Sequence, residues 1–343
     1  MRHWLVASRS IGERSLRMSD TGVKRSGLFG TPDVSVLMGV YNGGSDLEPT
    51  MRSVLDQQGC DFEFIVIDDG SSDGTAPLLD QMAATEPRLR VVHQQNQGLT
   101  KALIKGCALA RAPFIARQDC GDLSYPGRLA ALAAWLQVHA DVVLVASAYR
   151  HVGPRGELLE RVGPRNTHEE LREILRAGDP TTLYGPHHGS VMFRRSALDR
   201  AGGYREAFYF AQDLDLWTRM AMLGEIHILA DELYEVRFTH GSITARQTAR
   251  QAALRQLIAE ATRVRASGQS DAGVLARAAA VRPSNERPST QGLADIDYFL
   301  GSCLASRGDP AARAYFLQAL RRRPFMAKAW AKLIRSSLGR FGG

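Results

Sequence analysis

Between residues 33 and 149 the chain alternates short apolar runs with segments of helical periodicity, and this alternation constrains the fold more than any other feature. Runs rich in β-branched residues predict strands, and the segments between them predict helices. Parallel strands need long, usually helical crossovers, so strict alternation is typical of an α/β fold with a mostly parallel sheet and helices on both faces. The predicted strands cover residues 34–40, 62–70, 89–94, 113–119 and 141–149.

Polar side chains follow three of these strands at the point where each one ends. They are Tyr41–Asn42, Asp68–Asp69 and Asp119–Asp122. In open α/β sheets, ligands bind beyond the carboxyl ends of the strands, so three strands direct acids and an aromatic ring toward one crevice. Mg²⁺ and Mn²⁺ prefer oxygen ligands, and Mg²⁺ takes only one or two carboxylates from a protein. The pattern predicts a cleft for a divalent metal that carries a diphosphate. The alternative is that Asp69 and Asp73 only form a turn and a helix cap.

A second pair of acids lies in the segment AQDLDLWTRMAML, residues 211–223, which has helical spacing. Asp213 and Asp215 stand at its beginning, where negative charge is favoured by the helix dipole. Capping alone would explain both residues. The functional alternative is that Asp213 is a general base held in the cleft, as transfer to an acceptor hydroxyl requires.

The net charge of +7 belongs to the ends of the chain. Residues 1–32 carry six basic and two acidic residues, and residues 300–343 carry nine and one, so acids outnumber bases in between. This distribution argues against a nucleic-acid-binding core and favours peripheral contact with an anionic membrane surface. The four cysteines form no CxxC pair, which indicates a reduced, cytoplasmic chain. The longest apolar window, residues 129–149, is interrupted by polar residues and does not predict a membrane span.

Composition shifts divide the chain into four parts. Residues 1–32 form a basic N-terminal tail, residues 33–265 the main α/β domain, and residues 266–292 a linker around RPSNERPST. Residues 293–343 predict a pair of antiparallel helices broken at Gly-Asp-Pro, similar to one tetratricopeptide unit. Because one such unit cannot bury its own apolar face, we expect it to dock through Leu300, Phe316 and Leu320.

Seven motifs occur in a fixed order over roughly residues 33–245 and resemble the inverting family 2 glycosyltransferases. They are VSVLMGVYN, FIVIDDGSSDGT, NQGLTKALIKG, ARQDCGDLSYPGRL, HGSVMFRRSALDRAGGYRE, FAQDLDLWTRM and VRFTHGSIT. The resemblance implies the GT-A fold and a nucleotide-diphosphate sugar donor, with a UDP-sugar as the first choice. It also implies a glycan or glycolipid acceptor, inversion at the anomeric carbon, and a role in surface polysaccharide or glycoconjugate synthesis.

The resemblance also implies roles for individual residues, and these are expectations. Asp213 matches the family's catalytic base, although Gln212 replaces the commoner glutamate before it. Gly121 stands where the family often has its main metal-binding aspartate, which predicts a weak Mn²⁺ or Mg²⁺ site. The implied donor-binding residues are Val40, Tyr41, Asn42, Asp69, Asp119, Arg237 and His240, and the implied metal ligands are Asp119, Asp122 and His240.

Two other functions remain open at this point. Gly121 and Gln212 are compatible with a catalytically weak nucleotide-sugar-binding protein that acts through its helical tail. A dinucleotide-dependent oxidoreductase is disfavoured, because no G-x-G-x-x-G motif follows the first strand.

Overall fold

The computed structural model describes residues 30–238, 243–282 and 290–337. Its strands are β1 Val34–Val40, β2 Phe62–Asp68, β3 Leu89–His93, β4 Phe114–Arg117, β5 Leu123–Ser124, β6 Val142–Val152, β7 Leu158–Val162, β8 Val191–Arg194 and β9 Glu225–Arg237. Its helices are α1 Leu47–Leu55, α2 Thr75–Ala83, α3 Leu99–Leu109, α4 Arg128–Val138, α5 His168–Ala177, α6 Arg195–Arg200, α7 Gln212–Met220, α8 Ile243–Ala266, α9 Ala272–Ala280, α10 Thr290–Ser306, α11 Ala312–Arg322 and α12 Ala327–Ser337.

The strands form one sheet in the order β3-β2-β1-β4-β8-β6-β9-β5, with β7 paired to β6. The first half of the sheet is parallel, since β1 pairs with β2 and β4, and β2 pairs with β3. β8 then runs antiparallel to both β4 and β6, and β9 runs parallel to β6. The parallel half places the carboxyl ends of β1, β2 and β4 at one edge, where the polar clusters follow.

Helices cover both faces of this sheet because alternate residues of the buried strands point in opposite directions. Leu37 belongs to a buried cluster with side chains of α3, α5, α7 and α8. Its neighbours Val36 and Met38 belong to a second buried cluster with side chains of α1, α2 and α4. The predicted α/β architecture with helices on both faces is confirmed.

The later strands depart from simple alternation. The run predicted as the fifth strand is β6, because the two-residue β5 precedes it and is too short to leave a periodic signal. β9 extends over 13 residues and pairs with both β6 and β5. It thereby returns the chain to the edge of the sheet where β4 ends.

The C-terminal region contains three helices among the described residues, where the sequence predicted two. The break at Gly308–Pro310 separates α10 from α11 as expected, and α12 follows. Helix α9 and the start of α10 lie inside the predicted linker, residues 266–292, which is therefore partly helical. Residues 1–29 of the predicted tail lie outside the described residues, and the four-part division itself stays a prediction.

The apolar face predicted for docking is buried between these helices and the main sheet. Leu300, Phe316 and Leu320 share a buried cluster with Leu159 of β7. The Tyr315 hydroxyl also donates a hydrogen bond of 2.8 Å to Glu157 Oε1, in the turn between β6 and β7. The guanidinium of Arg155 in the same turn lies 4.8 Å from the centre of the Tyr315 ring, so apolar burial and polar contacts together hold the C-terminal helices against this hairpin. No helix in the described parts of the chain is long and apolar enough to cross a membrane.

Candidate active site

The turn after β4 carries two carboxylates that the end of β9 holds in place. The Tyr234 hydroxyl accepts a hydrogen bond of 3.2 Å from the Asp119 backbone N–H and donates one of 3.0 Å to Asp122 Oδ2. The backbone N–H of Arg237 donates to Asp122 Oδ1 at 3.0 Å. The structure therefore brings together Asp119, Asp122 and Arg237, which the sequence placed in the same cleft. The Arg237 side chain is partly exposed, and its Nε donates to Glu235 Oε1 at 2.9 Å.

A buried guanidinium lies directly beneath this turn. Arg117, at the end of β4, is fully buried and forms an ion pair with Asp119. Its Nη1 donates to the carbonyl oxygens of Leu37 and Gln118 at 2.6 and 2.7 Å, and its Nε donates to His188 Nε2 at 3.1 Å. Burial opposes ionisation of Asp119, but the charge and hydrogen bond of Arg117, together with the nearby His188 and His187, outweigh burial and lower the pKa of this carboxyl.

A second buried guanidinium, that of Arg128 at the start of α4, supports the same region. It lies over the Tyr234 ring at 4.9 Å and donates to the carbonyl oxygens of Arg117 and Gly189 at 2.8 and 2.6 Å. This arginine joins β4, β9 and the turn before β8 into one support for the carboxylates. Buried charges are costly unless they are paired and hydrogen-bonded, and these contacts meet that requirement in large part.

Asp122 differs electrostatically from Asp119. Burial, together with the negative charge of Asp119, raises the pKa of Asp122 well above its usual value. Among the described residues Asp119 is ion-paired with Arg117 and Asp122 has no ion pair, so the two neighbouring carboxylates form a site whose charge a cation would balance.

His187 completes a set of three groups that could hold a metal ion. Its ligand atom and those of Asp119 and Asp122 all lie within 4.8 Å of one another. Burial lowers the pKa of His187 to about 4, so the imidazole is neutral near pH 7. Two carboxylates and a neutral imidazole suit a divalent cation such as Mn²⁺. His240, which the sequence predicted as a ligand and donor contact, lies outside the described residues.

Gly121, between the two carboxylates, has a structural reason to be glycine. Its φ of 100° lies in the region that glycine adopts readily and other residues rarely do. A Cβ atom there would meet nothing within 4 Å, so the backbone conformation rather than lack of space disfavours an aspartate. Gly121, which permits this turn, therefore stands where the family pattern places an aspartate.

The loops after β1 and β2 form the other half of the cleft. The Val40 carbonyl accepts a hydrogen bond from the Asp69 N–H at 2.8 Å. Asn42 donates from its N–H to Ser71 Oγ at 2.9 Å and accepts from the Ser72 N–H at 2.8 Å through Oδ1. Tyr41 projects from this joined pair of loops with 54% of its surface exposed.

The carboxylate of Asp69 is buried and engaged within the protein. It accepts hydrogen bonds from Gln94 Nε2 at 2.7 Å and from the backbone N–H groups of Gln97 and Gly98 at 2.9 and 2.7 Å. These bonds hold the loop that begins α3 against the end of β2. The direct contact with a donor that the sequence indicated for Asp69 stays a prediction.

The two halves of the cleft adjoin each other. A Cβ atom added to Gly43 would lie 3.1 Å from Cys120 Sγ, so the loop after β1 packs on the turn after β4. The Gly121 N–H donates to Thr50 Oγ1 of α1 at 3.0 Å. The strand-end clusters therefore line one continuous region, as expected.

Helix α7 separates its two acids into different environments. Asp215 is fully buried and accepts hydrogen bonds from Arg205 Nε at 3.0 Å and Arg219 Nη2 at 2.7 Å. Arg205 also donates to Asp271 Oδ2 at 2.7 Å, which ties α7 to the start of α9. Asp215 is thus an internal ion-pair partner of two arginines.

Asp213 has no side-chain ion pair among the described residues. Burial raises its pKa, and the negative charge of Asp119 in the turn after β4 raises it further, while the charge of Arg117 opposes this rise. A carboxylate with a raised pKa and no fixed cation is suited to accept a proton.

Backbone strain occurs next to both halves of the cleft. Asn42 and Ala211 are the two non-glycine residues with positive φ in the described part of the chain, at 53° and 54°. Ala211 is the N-cap of α7, two residues before Asp213. Such strain persists where surrounding contacts fix it and is concentrated at functional sites.

The sequence did not identify four residues that build the site, namely Arg117, Arg128, Tyr234 and His187. Arg117 stands two residues before Asp119, and Arg128 lies in the PGRL segment, so both were visible within a matched motif. Tyr234 and His187 come from distant parts of the chain and gave no local signal for a contact with Asp122.

Comparison with known proteins identifies the family. The family model described as glycosyl transferase family 2 matches residues 35–202. EpsE of Bacillus subtilis, named as a glycosyltransferase, is 32% identical over 214 residues, which cover 60% of this chain and 73% of EpsE. The chain belongs to glycosyltransferase family 2. AmsE of Erwinia amylovora, named as an amylovoran biosynthesis glycosyltransferase, is 29% identical over 208 residues, or 59% of this chain and 75% of AmsE.

Solved structures agree with the GT-A fold predicted for this family. The mannosyltransferase PcManGT from Pyrobaculum calidifontis, in complex with GDP-Man and Mn²⁺, matches with a TM-score of 0.52 and 20% identity over 91% of this chain and 89% of that protein. TarS 1-349 of S. aureus, in complex with UDP-GlcNAc, matches with a TM-score of 0.50 and 17% identity over 90% of this chain and 92% of that protein. The fold and family predictions are confirmed.

The contrast between the two acids of α7 predicts opposite effects on stability. Asp215→Asn should lower the free energy of unfolding by about 3–5 kcal/mol, because Arg205 and Arg219 would lose their buried partner. Asp213→Asn is the matched control and should leave stability unchanged or raise it, since it removes a carboxylate whose ionised form burial disfavours. Urea unfolding followed by circular dichroism measures both variants. Equal losses in the two variants would contradict this assignment.

Proposed function

We propose that this glycosyltransferase moves a sugar from a nucleotide-diphosphate donor to an acceptor hydroxyl with inversion, and that Asp213 is the base. The observation that carries the proposal is the difference between Asp213 and Asp215. Asp215 is ion-paired with two arginines, whereas Asp213 forms no ion pair within the described parts of the chain, and the negative charge of Asp119 contributes to its raised pKa.

The reaction follows from a single displacement. The acceptor oxygen forms a bond to the anomeric carbon while the bond from that carbon to the diphosphate oxygen breaks. The acceptor's proton passes to the Asp213 carboxylate, and the electron pair of the broken bond leaves with the diphosphate. Attack from the face opposite the leaving group inverts the anomeric configuration.

Asp119 and Asp122 in the turn after β4, together with His187, fit a divalent metal. Asp119 and Asp122 supply oxygen ligands and His187 supplies nitrogen, and their ligand atoms already lie within 4.8 Å of one another. A bound Mn²⁺ or Mg²⁺ would neutralise charge on the diphosphate. The backbone N–H of Arg237 is bonded to Asp122, and its guanidinium, at the end of β9, is paired with Glu235. The Arg237 side chain would oppose the charge of the leaving group.

The metal site should be weak without a donor. The Gly189 N–H donates to His187 Nδ1 at 3.2 Å, so that nitrogen is unprotonated and Nε2 carries the proton of the neutral ring. Coordination through either nitrogen therefore disrupts this bond or changes the tautomer. Asp119 also remains paired with Arg117. The phosphates of a bound donor would supply the metal ligands that His187 and Asp119, engaged in these contacts, do not readily provide.

The loops after β1 and β2 form the proposed nucleotide subsite. The exposed ring of Tyr41 offers an aromatic face to the base, and the linked backbone around Val40 and Asn42 fixes its position. Asp69 would act there together with the loop that it anchors. We favour a UDP-sugar, and TarS and PcManGT, which have this fold, bind UDP-GlcNAc and GDP-Man.

The acceptor proposed for this chain is a glycan or glycolipid at the cytoplasmic side of a membrane. AmsE, which is similar over 59% of this chain, is named for the biosynthesis of the polysaccharide amylovoran. This similarity supports a role in surface polysaccharide or glycoconjugate synthesis.

Replacement of the base tests the proposal. Asp213→Asn should retain UDP binding but lower turnover about 10²–10⁴-fold, because the acceptor hydroxyl loses its positioned base. Release of nucleotide diphosphate from a panel of sugar donors, with an acceptor extract, measures turnover. Titration calorimetry with UDP measures binding and serves as the control for the donor site. Near-normal transfer by this variant would rule out Asp213 as the base, and absence of nucleotide release by the wild type would favour a binding protein.

The metal assignment is tested by affinity rather than by activity. His187→Ala should weaken Mn²⁺ binding in the presence of UDP by about tenfold or more, because a ligand is lost. Asp119→Asn should abolish the gain in Mn²⁺ affinity that UDP produces in the wild type. His227→Ala, at a histidine of β9 outside the cluster, is the matched control. Electron paramagnetic resonance of free Mn²⁺ reports each affinity. Equal affinities in His187→Ala and His227→Ala would remove His187 from the site.

A further inference from the structure

Helix α12 has two apolar faces, and only one of them is buried. Ala329 and Leu333 pack in the cluster with α10 and α11. Trp330 and Ile334, one turn apart, are 47% and 56% exposed. By helical spacing, the exposed Ala327 and Ala331 lie on the same side as these two residues.

The turn before α12 extends this exposed apolar face. Phe325 is 98% exposed, and the Trp330 indole N–H donates to the Pro324 carbonyl at 2.7 Å. This hydrogen bond fixes the indole ring against the turn. Phe325, Trp330 and Ile334 therefore form a surface, here called the α12 face, on which large apolar side chains meet water.

Basic side chains border the α12 face on one side. At 100° per residue, Lys328, Lys332 and Arg335 follow each other around the helix immediately beyond Ala331. Lys328 is partly neutralised, since it lies 3.1 Å from Asp295 Oδ1 and 4.4 Å above the Tyr298 ring. The C-terminal region that contains α12 is strongly basic, with nine basic residues and one acidic residue over 300–343.

We propose that the α12 face docks on the surface of an anionic lipid bilayer. A helix that lies in the interfacial plane places aromatic and aliphatic side chains at the depth of the headgroups and basic side chains beside anionic phosphates. The α12 face has both components on adjoining sides. Its charge is complementary to such a surface and not to a neutral one. This inference does not depend on the identity of the donor or on the metal.

The aromatic composition favours a lipid interface over a protein groove. Tryptophan is enriched at membrane–water interfaces, where an apolar ring and a polar N–H are both accommodated. The α12 face is short and convex, as the outer side of a single helix, and its basic border is continuous with it. An acidic protein partner is the competing occupant of the α12 face, and vesicle binding distinguishes it from a lipid surface.

Vesicle binding by the full chain provides the first test. The protein should co-sediment with vesicles of phosphatidylcholine and phosphatidylglycerol at low ionic strength, less at high ionic strength, and weakly with phosphatidylcholine alone. Lys332→Gln together with Arg335→Gln should lower the partition coefficient by about fivefold per charge. Lys101→Gln together with Lys105→Gln, on α3, makes the same change of charge elsewhere and should leave the partition coefficient unchanged.

Quenching of tryptophan fluorescence by brominated lipid locates the contact. The wild type should show quenching that Trp330→Phe largely removes, while Trp330→Phe still co-sediments. Trp330→Ser with Ile334→Ser should weaken binding about tenfold, and Val138→Ser, at an exposed residue of α4, is its matched control. Donor turnover in solution should be the same in all these variants, which also shows that they fold.

Three results would overturn the proposal. The first is no binding of the wild type to anionic vesicles at low ionic strength. The second is an equal loss of binding in the α12 variants and their matched controls. The third is a defined protein complex or self-association that depends on Trp330 and occurs without vesicle binding, which would assign the α12 face to a protein interface.

Discussion

The ion pair between the buried guanidinium of Arg117 and the carboxylate of Asp119 is the interaction on which the rest of the site depends. It lets a charged carboxylate lie at the end of β4 beside a second carboxylate, Asp122, whose own pKa burial raises. Without the arginine, two acids and the nearby Asp213 would repel one another in a region from which water is partly excluded. The cost of burying Arg117 is offset by hydrogen bonds from all its nitrogen atoms to backbone carbonyls, His188 and Asp119.

This arrangement assigns each acid a separate task. Asp119 and Asp122 belong to the proposed metal site, Asp215 anchors α7 to its neighbours through Arg205 and Arg219, and Asp213 is the proposed base. The environment decides these roles, since Asp213 and Asp215 are two residues apart on one helix. Ala211, the N-cap of α7, has left-handed backbone angles two residues before Asp213.

The sequence predicted the parallel half of the fold closely, because buried strands and crossover helices leave strong periodic signals. β1 begins and ends where the apolar run 34–40 does, and the acids after β4 lie in the cleft as expected. The two-residue β5, the third C-terminal helix and the helix inside the predicted linker were missed, because β5 is too short for any period and local composition does not reveal which helices pack. His187 and Tyr234 could not be predicted either, since their contacts with the turn after β4 depend on antiparallel strands paired across the sheet.

The pH dependence of kcat/KM for the wild type tests the role of Asp213 most directly. The base acts when it is deprotonated, so a pKa raised by burial moves the acidic limb of the profile upward. We expect kcat/KM to fall tenfold per pH unit below an apparent pKa greater than 3.8, the usual aspartate value, and Asp213→Glu to shift this limb. An acidic limb with an apparent pKa at or below 3.8, or one that Asp213→Glu leaves in place, would contradict the assignment of Asp213 as the base.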